Sequence, residues 1–330
     1  MMALFNIVFM KFVFFSIIIF TFCHYTYGQS NFVIKQTIED SQMNEILSAS
    51  GIEIIDHKTY IVSDNQNVLF IKSNQKIRTI FLRPDDNNKA VAKAIKKDFE
   101  SVCHYKTNLL NYLLIISSGS LINTRDSVFI FDIDKEKLVS AKNVRSLYNQ
   151  IQKRMRLPKG QLINIEASTV TDKEILIFHR GNESKQNYLI RFKKQDFINY
   201  LINKQPVPEF TLTAFDLPIK KELKEMVSPG ISGAYTISNN RILITYSMER
   251  TNSNYNDGEI LGSYIGMLNL SNNNVISTFF GSKLNKLELR KIKVEGVAIN
   301  KLEKNIYQIS VVSDNDNGIS DFIKLKIGFN

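Results

Sequence analysis

Ser50-Gly51-Ile52-Glu53-Ile54-Ile55, Tyr60-Ile61-Val62-Ser63-Asp64-Asn65 and Val68-Leu69-Phe70-Ile71 follow one another near the start of the chain, and their order decides the fold. A small or polar residue opens an apolar strand. A second apolar strand ends in a polar cluster, and a third strand follows. The order returns four times. The second copy has Phe99-Glu100-Ser101-Val102, Leu113 to Gly119 and Val128 to Phe131. The third has Ile165-Glu166-Ala167, Ile175 to Arg180 and Tyr188 to Ile190. The fourth has Gly230-Ile231-Ser232-Gly233, Ile242 to Ser247 and Ser263 to Met267. The fifth has Val294-Glu295-Gly296-Val297, Ile309 to Asp314 and Phe322 to Leu325.

Repeats of this kind bury their apolar faces only by stacking on one another. Copies one, three and four each add an outer strand, at Lys76 to Leu82, Phe210 to Asp216 and Val275 to Phe280. The fifth has none before Asn330, and Asn31 to Thr37 can supply it. A ring closed in this way leaves only short, protected edges. The expected fold is therefore all-β, one five-bladed β-propeller over residues 29–330, with six blades as the alternative. Ala90 to Lys97, Arg145 to Met155 and Ile219 to Met226 read as helical insertions between blades, and Asn256-Asp257-Gly258 as a hairpin turn.

Ahead of the repeats, Lys11 is the only charged residue before Lys35, and Phe12 to Phe22 is apolar apart from Ser16 and Thr21. Small Gly28 closes the stretch, so residues 1–28 read as a secretion signal cleaved before Gln29. A retained anchor would need about 20 apolar residues. The expected location is secreted or periplasmic, with no membrane contact after cleavage and a monomeric state. The signal carries off Cys23, so Cys103 has no partner for a disulfide and reads as a buried apolar residue.

The formal charge of the 330-residue chain is +10, and +9 without Lys11. That balance suits an acidic ligand, such as an anionic small molecule, or an anionic surface, and solvated lysines are its ordinary cause in an exported protein. Nucleic-acid binding is not expected, because Lys96-Lys97, Lys153-Arg154 and Lys220-Lys221 lie in stretches read as exposed helices without interleaved aromatics.

In a propeller the residues that open the innermost strands converge on the axis. Here they are Ser50 (or Glu53, with the register shifted), Glu100, Glu166, Ser232 and Glu295. Alone, each glutamate reads as a turn residue facing water. Their recurrence at one point of the repeat is what points to a cation. Converging carboxylates must either take up protons or share a positive charge, and hard oxygen donors suit Ca²⁺. The polar ends of the second strands open on the same face, so Asp64, Ser118, Arg180, Glu249 and Asp314 should surround the mouth. Asp64, Glu249 and Asp314 are candidate catalytic bases, and Arg180 a candidate phosphate clamp.

Other chemistries find no support. Asp314-Asn315-Asp316-Asn317-Gly318 opens like a calcium-binding loop but lacks the acid required at its twelfth position. No phosphate-cradling loop, metalloprotease helix or nucleophile elbow occurs. His57, His104 and His179 have no metal-ligand spacing.

At these residues the chain resembles the calcium-dependent apyrases, soluble calcium-activated nucleotidases. That family folds as a five-bladed propeller with an axial calcium held in the order Ser, Glu, Glu, Ser, Glu. The order falls on Ser50, Glu100, Glu166, Ser232 and Glu295, and the resemblance spans roughly residues 50–327. The contexts Gln161-Leu162-Ile163, Gly230-Ile231 and Lys293-Val294 are similar too. The departures fall on the chemical face. The family's Asp-Asp-Arg-Thr-Gly is Ser63-Asp64-Asn65-Gln66-Asn67 here, its Pro-Arg-Arg is His179-Arg180-Gly181, and the chain has no tryptophan. The resemblance implies a calcium-dependent hydrolase of phosphoanhydrides or phosphate esters. A non-catalytic extracellular binding propeller and a phytase-like esterase propeller are the alternatives.

Overall fold

A computed structural model of the chain describes residues 32–329, apart from residues 75, 182–184, 204, 220–226, 251–257, 281–291 and 316–317. Five four-stranded antiparallel sheets form a ring. The first blade is β2 (Ala49–Ile55), β3 (Lys58–Ser63), β4 (Val68–Ser73) and β5 (Lys76–Phe81). The second is β6 (Phe99–Lys106), β7 (Asn111–Ser117), β8 (Ser127–Asp132) and β9 (Lys137–Asn143). The third is β10 (Ile165–Val170), β11 (Glu174–His179), β12 (Asn187–Lys193) and β13 (Phe210–Phe215). The fourth is β14 (Pro229–Ser238), β15 (Arg241–Arg250), β16 (Glu259–Asn269) and β17 (Asn274–Phe280). The fifth is β18 (Lys293–Glu303), β19 (Ile306–Asp314) and β20 (Ser320–Phe329), completed by β1 (Phe32–Met43), which pairs antiparallel with β20.

The first strands of the blades line the axis, with β2 against β6, β6 against β10, β10 against β14, β14 against β18 and β18 back on β2. Each of the five apolar clusters sits between two neighbouring blades. Strand β7 shows why the middle of a second strand carries a run of consecutive apolar residues. Leu114 and Ile116 face the third blade, and Leu113 and Ile115 face the first. Side chains alternate along a strand, so one buried on both faces carries no polar alternation. The five second strands are therefore legible in sequence.

The ring has five blades, and the six-bladed alternative falls away. Helix α1 (Arg145–Met155) has the expected bounds. Three readings need correction. Ala90 to Lys97 is not helical: it is irregular chain with a single turn over residues 93–95. Strand β9 was not expected, because on the outside of its blade its residues alternate between exposed and half-buried, with little apolar signal. Helix α2 (Lys194–Ile202) is not expected from sequence; it follows β12 and buries Phe197, Ile198, Tyr200 and Leu201 while packing against β11, β12 and β9. The expected signal at residues 1–28 lies outside the described residues, as do residues 220–226 of the third expected helix and residues 256–257 of the expected turn.

Candidate axial site

All five residues expected at the axis occupy the same special position. The pairing of each first strand with its second is broken by a β-bulge, and the extra residues are Ser50, Glu100, Glu166, Ser232 and Glu295. A bulge re-aims one side chain out of the strand's alternation. Here it aims five of them at one point. They line an axial cavity of about 10 Å³, room for about one water or ion. A small residue follows each bulge, glycine in three of the five, and lets the strands crowd in. A Cβ on Gly233 would lie 3.0 Å from the Gly296 Cα. Glu53, the alternative to Ser50, lies elsewhere: its carboxylate accepts the amides of Ile54 and His104, 3.0 Å each.

The two serines tie neighbouring blades together. Ser50 Oγ donates to the Phe99 carbonyl, and Ser232 Oγ donates to the Val294 carbonyl at 2.6 Å. A hydroxyl that donates its proton still offers oxygen lone pairs. Glu166 and Glu295 are buried, at 8% and 4% exposure, and Glu100 is half-buried. Glu166 Oε1 accepts from Asn164 Nδ2 at 2.6 Å. Glu295 Oε2 is buried and accepts no hydrogen bond.

Arg180 does not lie on an open rim. Its side chain is 2% exposed, with the guanidinium 3.1 Å from Glu249, 3.5 Å from Glu166 and 3.9 Å from Glu295. It is an internal counter-ion of the axial acids, which corrects its reading as an exposed phosphate clamp. Gly230 makes the room, since a Cβ there would stand 2.3 Å from Arg180 Nε. Glu249 and Asp314, expected on the rim, are each 7% exposed. Lys293 pairs with Glu295 at 3.0 Å and stands opposite Asp314 in the β18–β19 ladder. Asp64 is the most open of these acids, with a side chain 20% exposed.

Lys96 was read as part of an exposed helix. It is 5% exposed and pairs with Asp64 at 2.7 Å and Asp98 at 3.0 Å. Arg125 takes the other Asp98 oxygen at 2.9 Å, and Ser118 Oγ donates to that same oxygen. Carboxylate oxygens of Asp64, Asp98 and Glu100 lie within 4.8 Å of one another. None of Lys96, Asp98, Arg125, Lys293 and Asn164 reads as a site residue from sequence. A usable signal existed for three of them. Asp98, Asn164 and Lys293 stand two residues before their bulges, as do Ser48 and Gly230.

Negative charge is in excess here. Asp64, Asp98, Glu100, Glu166, Glu249, Glu295 and Asp314 face Lys96, Arg125, Arg180 and Lys293. Burial, with Glu166 adding to it, pushes Glu295 up to about 8 despite Lys293 and Arg180. Glu100 is held well above the usual carboxylate range by burial and then by Glu166, Asp98 and Asp64. Burial, eased by Lys96, raises Asp64 to about 7. Acids held above their ordinary range need either protons or another cation. The donor set of carboxylate and hydroxyl oxygens, with Glu295 Oε2 accepting no hydrogen bond, fits a hard divalent ion.

Fold and site together define a five-bladed propeller with an acidic axis. Over residues 45–327 the chain matches DUF6929, a family of unknown function, and belongs to it. No curated protein matches it. Among solved structures, Myxococcus xanthus glutaminyl cyclase is similar with a TM-score of 0.42 at 8% identity, covering 91% of this chain and 97% of that one. A hypothetical protein from Leishmania major gives 0.43 at 13% identity, covering 90% and 89%. At these identities the likeness is one of fold alone.

Proposed function

We propose that this protein is an exported calcium-binding propeller that presents its axial ion to an anionic ligand at the mouth. The carrying observation is the convergence of Glu100, Glu166 and Glu295 on one cavity, with Glu295 Oε2 buried and accepting no hydrogen bond. Calcium, when bound, would neutralise these acids and offer remaining coordination sites to an anion. Ser50, Glu100, Glu166, Ser232 and Glu295 are the residues proposed to hold it. Arg180 and Lys293 keep the cluster from reaching its full negative charge, and Asn164 orients Glu166. Export rests on the reading of residues 1–28.

Binding to the folded state alone stabilises it by about 2.7 kcal/mol at a hundredfold excess over the dissociation constant. Thermal unfolding in chelator and in calcium tests this. Calcium should raise the melting temperature, and Glu166→Gln should blunt the rise. A melting curve indifferent to both would overturn the reading.

A second reading, a calcium-dependent hydrolase of phosphoanhydrides or phosphate esters, draws on one observation. Asp64 is partly exposed and held at about 7, close to the value that suits a general base at neutral pH. A screen of nucleotides, phytate and simple phosphate esters, with Asp64→Asn as control, decides it. Calcium-dependent turnover abolished by Asp64→Asn supports catalysis. No turnover leaves the binding propeller.

A further inference from the structure

The mouth lies at the beginning of each first strand and the end of each second strand. The hairpins joining them therefore lie on the opposite face. Every one of these hairpins presents an exposed cation: Lys58, Lys106, Lys173, Arg241 and Lys304 in blades one to five. Acids on the same hairpins are fewer. They are Asp56, Asp172, which accepts from Asn239 at 2.9 Å, Glu174, which pairs with Arg191 at 2.6 Å, and Glu303, which pairs with Lys301 at 2.6 Å; the adjoining β8–β9 turn adds Asp134, which accepts from Asn111, and Glu136, which pairs with Arg78. Cations therefore outnumber acids on these five hairpins, whereas acids are in excess at the mouth.

Apolar side chains stand among those cations. Leu109, near the tip of the β6–β7 hairpin, is 92% exposed, and Leu302, at the end of β18, is 51% exposed. Isolated exposed leucines need no explanation. Two of them on basic hairpins form the combination that binds an anionic bilayer, where lysines meet the headgroups and the apolar tips enter the interface. Strand β1 also starts on this face, with Phe32 paired to Phe329.

We propose that this face docks the propeller on an anionic lipid surface, leaving the acidic mouth turned away from it. The occupant is a bilayer and not a small phosphate, because the cations are spread one per blade around the ring and converge on no pocket. Among the described residues no helix is long and apolar enough to cross a membrane. The docking is peripheral.

The test is pelleting of the full chain with vesicles of phosphatidylcholine, with and without phosphatidylglycerol, in chelator. Omitting calcium makes the outcome independent of the axial site. Binding should be stronger to the anionic vesicles and should fall at high salt, which screens surface charge. Lys106→Glu and Lys304→Glu should each lower it about fivefold or more, a basic residue near the surface being worth about 1 kcal/mol. Leu109→Ser should weaken it too. All three variants should keep the parent melting temperature. Equal binding to both vesicle types, or an anionic preference that survives the double reversal, would overturn the proposal. So would binding of soluble polyphosphate without vesicle binding, which would reassign the face to a soluble acidic partner.

Discussion

Two ion pairs at opposite ends of the molecule separate distance from consequence. Lys301 and Glu303 lie 2.6 Å apart with side chains 64% and 53% exposed. Arg180 and Glu249 lie 3.1 Å apart with side chains 2% and 5% exposed. The shorter pair is the weaker one. Water screens it and already solvates both groups well when they are apart. The longer pair has lost that water, so each partner depends on the other. Charge on the hairpin face is available to a partner, whereas charge at the axis is committed to the fold or to an ion within it.

The sharpest way to break that contrast is to remove the axial cation the chain supplies itself. Arg180→Met should cost about 3–5 kcal/mol, because Glu166, Glu249 and Glu295 are left buried without it. Chemical denaturation in chelator measures the loss, and added calcium should recover part of it. A cost below about 1 kcal/mol would mean that water reaches the cluster.

Glu53 supplies the next effect. Burial raises it to about 7 from its ordinary 4.5, against the opposing amide bonds from Ile54 and His104. A carboxyl group whose value is higher in the fold contributes stability that is complete below about 4.5 and lost as pH rises through about 7. The difference amounts to at most about 3 kcal/mol. Stability measured across that range in chelator should fall with pH, and Glu53→Gln should flatten the fall. An unchanged slope in the variant would assign the pH dependence to the axial acids.

Gly230→Ala probes the room made for Arg180. The added methyl must displace the guanidinium stem, which costs about 1–3 kcal/mol as overpacking. It should also alter the calcium response, because Arg180 holds the axial acids. A melting temperature equal to that of the parent would show that the side chain has another path. At the other extreme, Lys301→Ala should leave the melting temperature unchanged, since its pair with Glu303 is solvated.

How much of this was legible depends on the direction in which each contact runs. The blades were readable because a strand buried on both faces writes its state into consecutive residues, as Leu113 to Ile116 do. The axial five were readable because a repeat places the same position at the same radius. Strand β9 and helix α2 were not. The strand lies on the outside of its blade with little apolar signal, and the short helix is held by packing against β11, β12 and β9.

Sequence alone pointed to five repeats, a closing N-terminal strand and a set of residues on the axis, and the structure removed the sixth blade and the choice between Ser50 and Glu53. These follow from periodicity along the chain, which local sequence records directly. Only the tertiary structure decided how the charges are shared. Lys96 crosses to Asp64 from the next blade's approach, Arg180 reaches the fourth blade's Glu249 through space left by Gly230, and Lys293 stands over Glu295. Whether a charge is solvated or buried depends on what the neighbouring blade leaves beside it. That is a property of the ring, and no single repeat contains it.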